Sequence, residues 1–214
     1  MTIDELYRFV QFLANKDQRG FIKPSEFNLA ATRAQLDIIE EKFKSENTHK
    51  NLDDLAPVVE KATITYNAAN NGAFGFPTRF LHFISMTFGG STVELLGHEK
   101  LQNRLSSELV APTAAYPVAV MIDDGFEIFA SSTEATSGTC IITYIKEPLA
   151  PTWTSTVVNG VAVYNASASD AQELTLPTST HKDILHKILE YVGVSLREAD
   201  VTSFGSSFDE SSKE

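Results

Sequence analysis

The chain has 214 residues, 43% of them hydrophobic, and carries 28 acidic against 17 basic side chains, a formal net charge of −11. That length and apolar content suffice to bury a core, whereas the acidic balance, with Lys and Arg scattered and no basic stripe, argues against tight nucleic-acid binding, which needs several cations set against phosphates. No apolar run approaches the roughly 20 residues that span a bilayer, Asp4 and Glu5 stand where an export signal would place cations, and the single cysteine, Cys140, excludes an intramolecular disulfide and a cysteine-based zinc site within one chain.

In chain order, Ile3, Leu6, Phe9, Val10 and Leu13 recur at helical spacing, and Phe27, Ala30, Ala31, Ala34, Ile38, Ile39 and Phe43 do the same. Two amphipathic helices are predicted. The stretch between them, NKDQRGFIKPSEF at 15–27, has the outline of a calcium-binding EF-hand loop, with Gly20 at its sixth place. Asn15, Asp17 and Arg19 then fall at the first, third and fifth places and Glu26 at the twelfth. Arg19 puts a cation where the ion needs an oxygen ligand, so no calcium site is expected. The same residues suit a helical hairpin: Gly20 accepts the positive φ of a turn, Pro24 fits the first helical position, and Glu26 favours the positive end of the helix dipole.

The polar KSENTHKNLDD reads as a linker, and APVVEKATITY as an extended segment. NAANNGAFGF, ending at Pro77, reads as a loop whose Phe74 and Phe76 need a surface to pack on. TRFLHFISMTF fits either a short buried helix or a strand. TVELL predicts a strand and GHEKLQNRLSSEL a helix, on the repeat of Leu101, Leu105 and Leu109. From 111 to 164 short β segments alternate with turns: YPVAVMI, FEIFA and TCIITYI read as a three-strand antiparallel meander, with Asp124-Gly125 as a hairpin turn. TSTVVNGVAVYN offers a second hairpin with Asn159-Gly160 at its tip. A last helix follows, with Ser179 or Thr180 as its N-cap, Ile184, Leu185, Ile188, Leu189 and Val192 as its apolar face, and Gly193 as its stop. The expected fold is α+β: an N-terminal helical hairpin (1–46), a small, mainly antiparallel sheet (111–165) and a C-terminal helical part (178–204), in one domain spanning 1–204. An acidic, Ser-rich tail at 205–214 completes it, with the composition of a disordered segment.

Motifs of chemistry are scarce. The sequence has no Gly-rich phosphate loop, no HExxH pair and no GxSxG elbow. The carboxylate pairs Asp53-Asp54 and Asp123-Asp124 read as a helix start and a turn; a small hydrolase would need Asp123 and Asp124 to converge on a cleft. His181 and His186, five apart, fall on different helix faces and read as solvated or capping residues. His98-Glu99 opens a helix, and Arg104 reads as an ion-pair member or an exposed cation. Cys140, in an apolar run, reads as a buried strand residue. No catalytic, cofactor or metal site is therefore expected. Large apolar residues outside the helical stripes, namely Phe74, Phe76, Trp153 and Phe204, are instead candidates for a subunit interface. Trp153, between prolines, reads equally as an interface anchor or as a core residue.

Three stretches carry a resemblance. LYRFVQFLANKDQRGFIKPSEFNLAATRAQ, then LQNRLSSELVAPTAAYPVAVMIDDGFEIF leading to ITYIKEPLAPTW, and lastly HKDILHKILEYVGVSLREADV resemble virion structural proteins of crAss-like and related tailed bacteriophages. They are similar in particular to the ring proteins stacked beneath the portal in the neck and tail barrel. The likeness follows most of the chain in order, leaving out 67–77 and 205–214. It implies a virion protein, assembled in the bacterial cytoplasm, that forms a homo-oligomeric ring against portal, ring or tail proteins, a dodecamer if it matches the portal. DNA would pass through the ring without specific binding, and an acidic wall repels rather than holds it. A head–tail adaptor that forms no ring of its own is the alternative, and a small hydrolase the less favoured one.

Overall fold

A computed structural model describes residues 1–15, 22–45, 53–68, 73–158 and 161–196. The class is α+β, with helices at both ends of the described chain and mainly antiparallel sheets between them. The chain divides into two compact units, one formed by residues 1–58 with 148–214 and the other by Val59–Glu147. The single 1–204 domain expected from the sequence is thus replaced by a β unit inserted into a helical one. Linear reading misses this because the pieces of the helical unit lie far apart in the chain.

In the helical unit, α1 (Ile3–Asn15) and α2 (Pro24–Lys44) are the two predicted helices, which meet at Tyr7 and Phe27 with ring centroids 5.0 Å apart, and α4 (His181–Leu196) packs on both. Pro24 opens α2 as expected, and the Glu26 carboxylate accepts the Lys23 backbone N–H at 3.2 Å, which satisfies one of the donors that a helix start leaves unpaired. The buried stripes are Ile3, Leu6, Tyr7, Val10 and Ala14 on α1, and Phe27, Ala31, Ala34, Ile38 and Ile39 on α2. Phe9 and Phe43, assigned to those stripes by spacing, are exposed instead. Gln35 is fully buried and satisfied at both ends: its amide donates to Leu149 O at 3.2 Å and its carbonyl accepts from Thr175 N at 2.8 Å. The second predicted hairpin, β10 (Ser155–Val158) with β11 (Val161–Tyr164), forms, so strands run to Tyr164 as expected, but this last pair belongs to the helical unit. α4 begins after a 3-10 turn at Thr178–Thr180 and continues past Gly193, which therefore does not end it.

The β unit holds two sheets. One has the order β1 (Val59–Ile64), β9 (Cys140–Lys146), β4 (Phe80–Phe88), β5 (Ser91–Thr92). The other has the order β2 (Tyr66–Asn67), β3 (Ala73–Gly75), β8 (Gly125–Phe129), β7 (Val118–Ile122), β6 (Glu94–Leu96). β1 and β2 are one run interrupted at Thr65, and β5 and β6 one run interrupted at Val93. At both edges, then, the chain steps from one sheet to the other, which closes a barrel-like sandwich and leaves few open strand edges. Both sheets contribute to one core: Ile64, Met86, Cys140, Ile142 and Tyr144 from the first, Phe74, Ala119, Phe126 and Ile128 from the second. The parallel pair β6–β7 needs a crossover, which α3 (His98–Leu105) supplies while packing Leu101 on the outer face of Val118, Val120 and Phe129.

This topology corrects four expectations. NAANNGAFGF is not all loop: Ala73–Gly75 is a strand whose Phe74 enters the barrel core, and 69–72 lie outside the described residues. The three-strand meander is only a β7–β8 hairpin; TCIITYI crosses to the other sheet and pairs with β1 and β4. The helix predicted to reach Leu109 ends at Leu105. Gly125 is no positive-φ turn residue: the turn is Asp123-Asp124, and Gly125 is the first residue of β8. The EF-hand-like positions 16–21, the linker at 46–52, Asn159-Gly160, Phe204 and the tail 205–214 lie outside the described residues.

Candidate functional site

In the helical unit a groove between α2 and α4 has a volume of about 410 Å³. Glu26, Leu29, Ala30 and Arg33 recur at three- and four-residue spacing, a second stripe on α2 beside the buried one. Ile22, Ala30 and Val192 complete its apolar lining. Its rim is polar: Arg33 Nε lies 3.3 Å from Asp37 Oδ1, and the Tyr191 hydroxyl donates to Asp37 Oδ2. Burial pushes the Tyr191 phenol up, its bond to Asp37 and that carboxylate's charge push it further, and Arg33 pulls the other way. The arrangement suits an apolar side chain inserted beside a cation. Leu29 is nevertheless 74% exposed.

The β unit carries an exposed apolar loop. The loop after α3 holds Leu109 at 93% and Tyr116 at 76% exposure, with Val110 also exposed. Its conformation is braced: Thr113 and Tyr116 exchange backbone hydrogen bonds of 3.3 and 3.0 Å, the Thr113 hydroxyl also accepts from Tyr116 N at 3.2 Å, and Pro112 and Pro117 are buried at its base. Leu109, Tyr116 and Leu29 are the three most exposed large hydrophobic side chains among the described residues.

The residues singled out from the sequence lie elsewhere. Phe74 is fully buried in the barrel, in edge contact with Tyr66 and Phe88. Phe76 is half-buried there and stacks on Phe80 at 4.6 Å. Trp153 is 4% exposed, 4.2 Å from the Tyr7 ring and stacked on Tyr164. Phe74 and Trp153 are therefore core residues of their own units and not surface anchors. Asp123 and Asp124, the pair that a hydrolase would use, are both exposed on the two-residue turn between β7 and β8. Asp54 binds Lys42 at 2.8 Å and the Ser179 hydroxyl at 2.7 Å, a tie between α2 and the turn before α4. Arg104 pairs with Glu94 at 2.6 Å, and His98 is the exposed first residue of α3. His181 and His186 are buried rather than solvated; His181 Nε2 lies 3.0 Å from Leu176 O. Cys140 is buried in the barrel, and that burial pushes its thiol up to about 12.

Sequence reasoning missed Leu29, Arg33 and the loop. Leu29 carried a signal, an apolar residue out of phase with the Phe27–Ala31–Ala34 stripe. Leu109 was masked by its four-residue spacing from Leu105, although Pro112 lies too close for a longer helix. Among the described residues no group of three or more His, Cys, Asp or Glu side chains is placed to hold a metal ion, and no helix is long and apolar enough to cross a membrane. The chain matches no known protein family and none of the curated proteins.

Proposed function

We propose that this chain is a structural subunit of an oligomeric ring in the neck or tail barrel of a tailed bacteriophage, surrounding the DNA channel below the portal. The resemblance of three stretches to the ring proteins of crAss-like phages supplies the context. The observation that supports assembly is the pair of dissimilar apolar surfaces, the α2–α4 groove and the braced loop around Leu109 and Tyr116. A ring built head to tail requires two different complementary patches on each subunit. The acidic surface suits a channel wall that DNA passes without adhering, and the ring contacts portal, ring or tail proteins above and below.

Native mass spectrometry and negative-stain imaging of the purified full chain test this reading. The expected result is a closed particle whose mass is a whole multiple of 23.5 kDa. A monomer at every accessible concentration that binds a portal ring would point to the adaptor instead, and a monomer with no affinity for virion components would overturn both.

A further inference from the structure

The β unit is one continuous stretch, Val59–Glu147, whereas the helical unit is made of two stretches that the β unit separates in the chain. The chain enters and leaves the β unit side by side. Val59, its first residue, pairs with Ile145, and Glu60 binds Lys146 at 2.9 Å. Glu147, its last residue, is held from the β4 side: its N–H donates to Arg79 O at 2.7 Å, and the Arg79 guanidinium donates to Glu147 O. Arg79 itself, just before β4, has a φ of 59°, the only positive φ of a non-glycine residue among the described residues. That conformation is unfavourable for a residue with a Cβ, and such outliers persist where surrounding contacts fix them. Here the contacts are those to Glu147, at the stem of the inserted unit.

We propose that Arg79 is the clasp of this stem, and that the clasped β unit brings the two halves of the helical unit together, so that the helical unit can open while the β unit stays closed but not the reverse. Every strand pair of the two barrel sheets falls within Val59–Glu147, so the β unit closes on its own stretch of chain. The helical unit lacks that independence. Gln35 on α2 bonds Leu149 O and Thr175 N, and Asp4 on α1 accepts the Trp153 indole N–H, all across the point where the β unit is inserted. With the stem clasped, the two halves are joined through a few residues. With the β unit open they are the ends of a loop of about 90 residues, and closing such a loop lowers the odds of their meeting by roughly two to three orders of magnitude. The coupling runs through the chain itself and holds in a monomer and in a ring alike.

Two side chains that occur once each report the units separately in the full-length protein: Trp153 for the helical unit and Cys140 for the β unit. Through a urea titration, Trp153 emission reads the first, and brief pulses of a small maleimide, counted by mass, read opening at the buried Cys140. Gln35→Ala, which leaves Leu149 O and Thr175 N without that partner, should move the Trp153 transition to lower urea and leave the Cys140 transition in place. Arg79→Ala should move both, and in buffer it should label Cys140 about tenfold faster than wild type, the worth of a charge-assisted hydrogen bond. Where the Ala variant does not fold, Arg79→Lys, which keeps the cation but loses the guanidinium, should show the same acceleration in smaller degree. Arg79→Gly accepts the positive φ without strain and should nevertheless label faster than wild type. Protection in Arg79→Gly equal to or better than wild type would make Arg79 a turn residue only and overturn the clasp. Gln35→Ala moving the two transitions together would make the chain one cooperative unit, and Arg79→Ala moving the Cys140 transition alone would leave the helical halves independent of the stem; either overturns the proposal.

Discussion

The indole N–H of Trp153 donates to Asp4 Oδ1 at 3.0 Å, joining two residues that lie 149 positions apart in the chain. Asn28 clasps the same residue through its backbone: its side-chain oxygen accepts from Trp153 N at 2.8 Å and its amide donates to Trp153 O at 3.2 Å. Trp153 thus fastens the chain returning from the β unit onto α1 and α2. Trp153→Phe keeps an aromatic ring but trims the indole and removes the donor to Asp4, and should cost about 1–3 kcal/mol. Trp153→Ala also opens a cavity and should cost about 3–5 kcal/mol. Trp153 is the sole tryptophan, so native fluorescence should be blue-shifted and should move red on unfolding in urea. A native emission already at the position of exposed indole would contradict its burial.

Phe74 tests the barrel. Its ring lies inside with Phe126 and Ile142, so Phe74→Ser loses a large buried side chain and places a hydroxyl among apolar neighbours. A loss of about 3–5 kcal/mol is expected, measured as the shift in urea midpoint. Phe12, at 63% exposure on α1, is the control, and Phe12→Ser should change stability by no more than about 0.5 kcal/mol. Equal midpoints for the two variants would put Phe74 on the surface after all.

Gly125 was legible as special, but for the wrong reason. Its pairing with Asp124 suggests a positive-φ turn, whereas a Cβ at this position would lie 2.2 Å from Phe74 O and 2.8 Å from Phe74 C, where β3 runs against β8. The clash is with backbone, which cannot rotate away. Gly125→Ala should therefore separate β3 from β8 and cost about 3 kcal/mol or more. Gly97→Ala, at the start of α3 in extended backbone, with open space around the added carbon and no side-chain cap bond to lose, should change stability by less than about 1 kcal/mol. Circular dichroism melts of the two variants make the comparison, and equal melting points would refute the close approach.

What the sequence made legible follows from how far its signals reach. Helix periodicity and Pro24 placed α1, α2 and α4 because those cues act within a few residues. The ambiguity of TRFLHFISMTF could have been resolved locally: Gly89 and Gly90 both have positive φ in the tight turn between β4 and β5, and Gly-Gly is a hairpin signal. Sheet membership was not legible. Whether β9 pairs with β8 or with β1 depends on contacts across the barrel, to which the alternation of Cys140–Lys146 is indifferent. The exposure of large apolar residues was misread for a related reason. Phe74 and Trp153 stand among Asn, Gly and Pro, which looks like surface, but tertiary contacts bury them, while Leu109, four residues after Leu105, looks like core and is exposed.

The thiol of Cys140 makes a prediction about alkaline stability. It sits in the barrel core with no exposed surface, and burial raises it from an ordinary value of 9.0 to about 12. Below the ordinary value the thiol is protonated in native and unfolded chains alike, and it adds no pH dependence. Between the two values the unfolded chain releases a proton that the native chain retains. Stability then falls by as much as about 1.4 kcal/mol per pH unit, reaching a loss of about 2–3 kcal/mol near pH 11. Tyr7, Tyr144, Tyr164 and Tyr191 are also raised by burial, and they add a loss of the same sign above about pH 10. The difference between the wild-type chain and Cys140→Ala isolates the thiol. Near pH 7 the variant should be the less stable by about 1 kcal/mol, the cost of a small cavity, and it lacks the thiol's alkaline loss. The two stability curves from urea titrations should therefore converge above about pH 9 and cross before pH 11. Curves that stay parallel through that range would mean that the thiol ionises alike in both states, which is incompatible with a place inside the barrel.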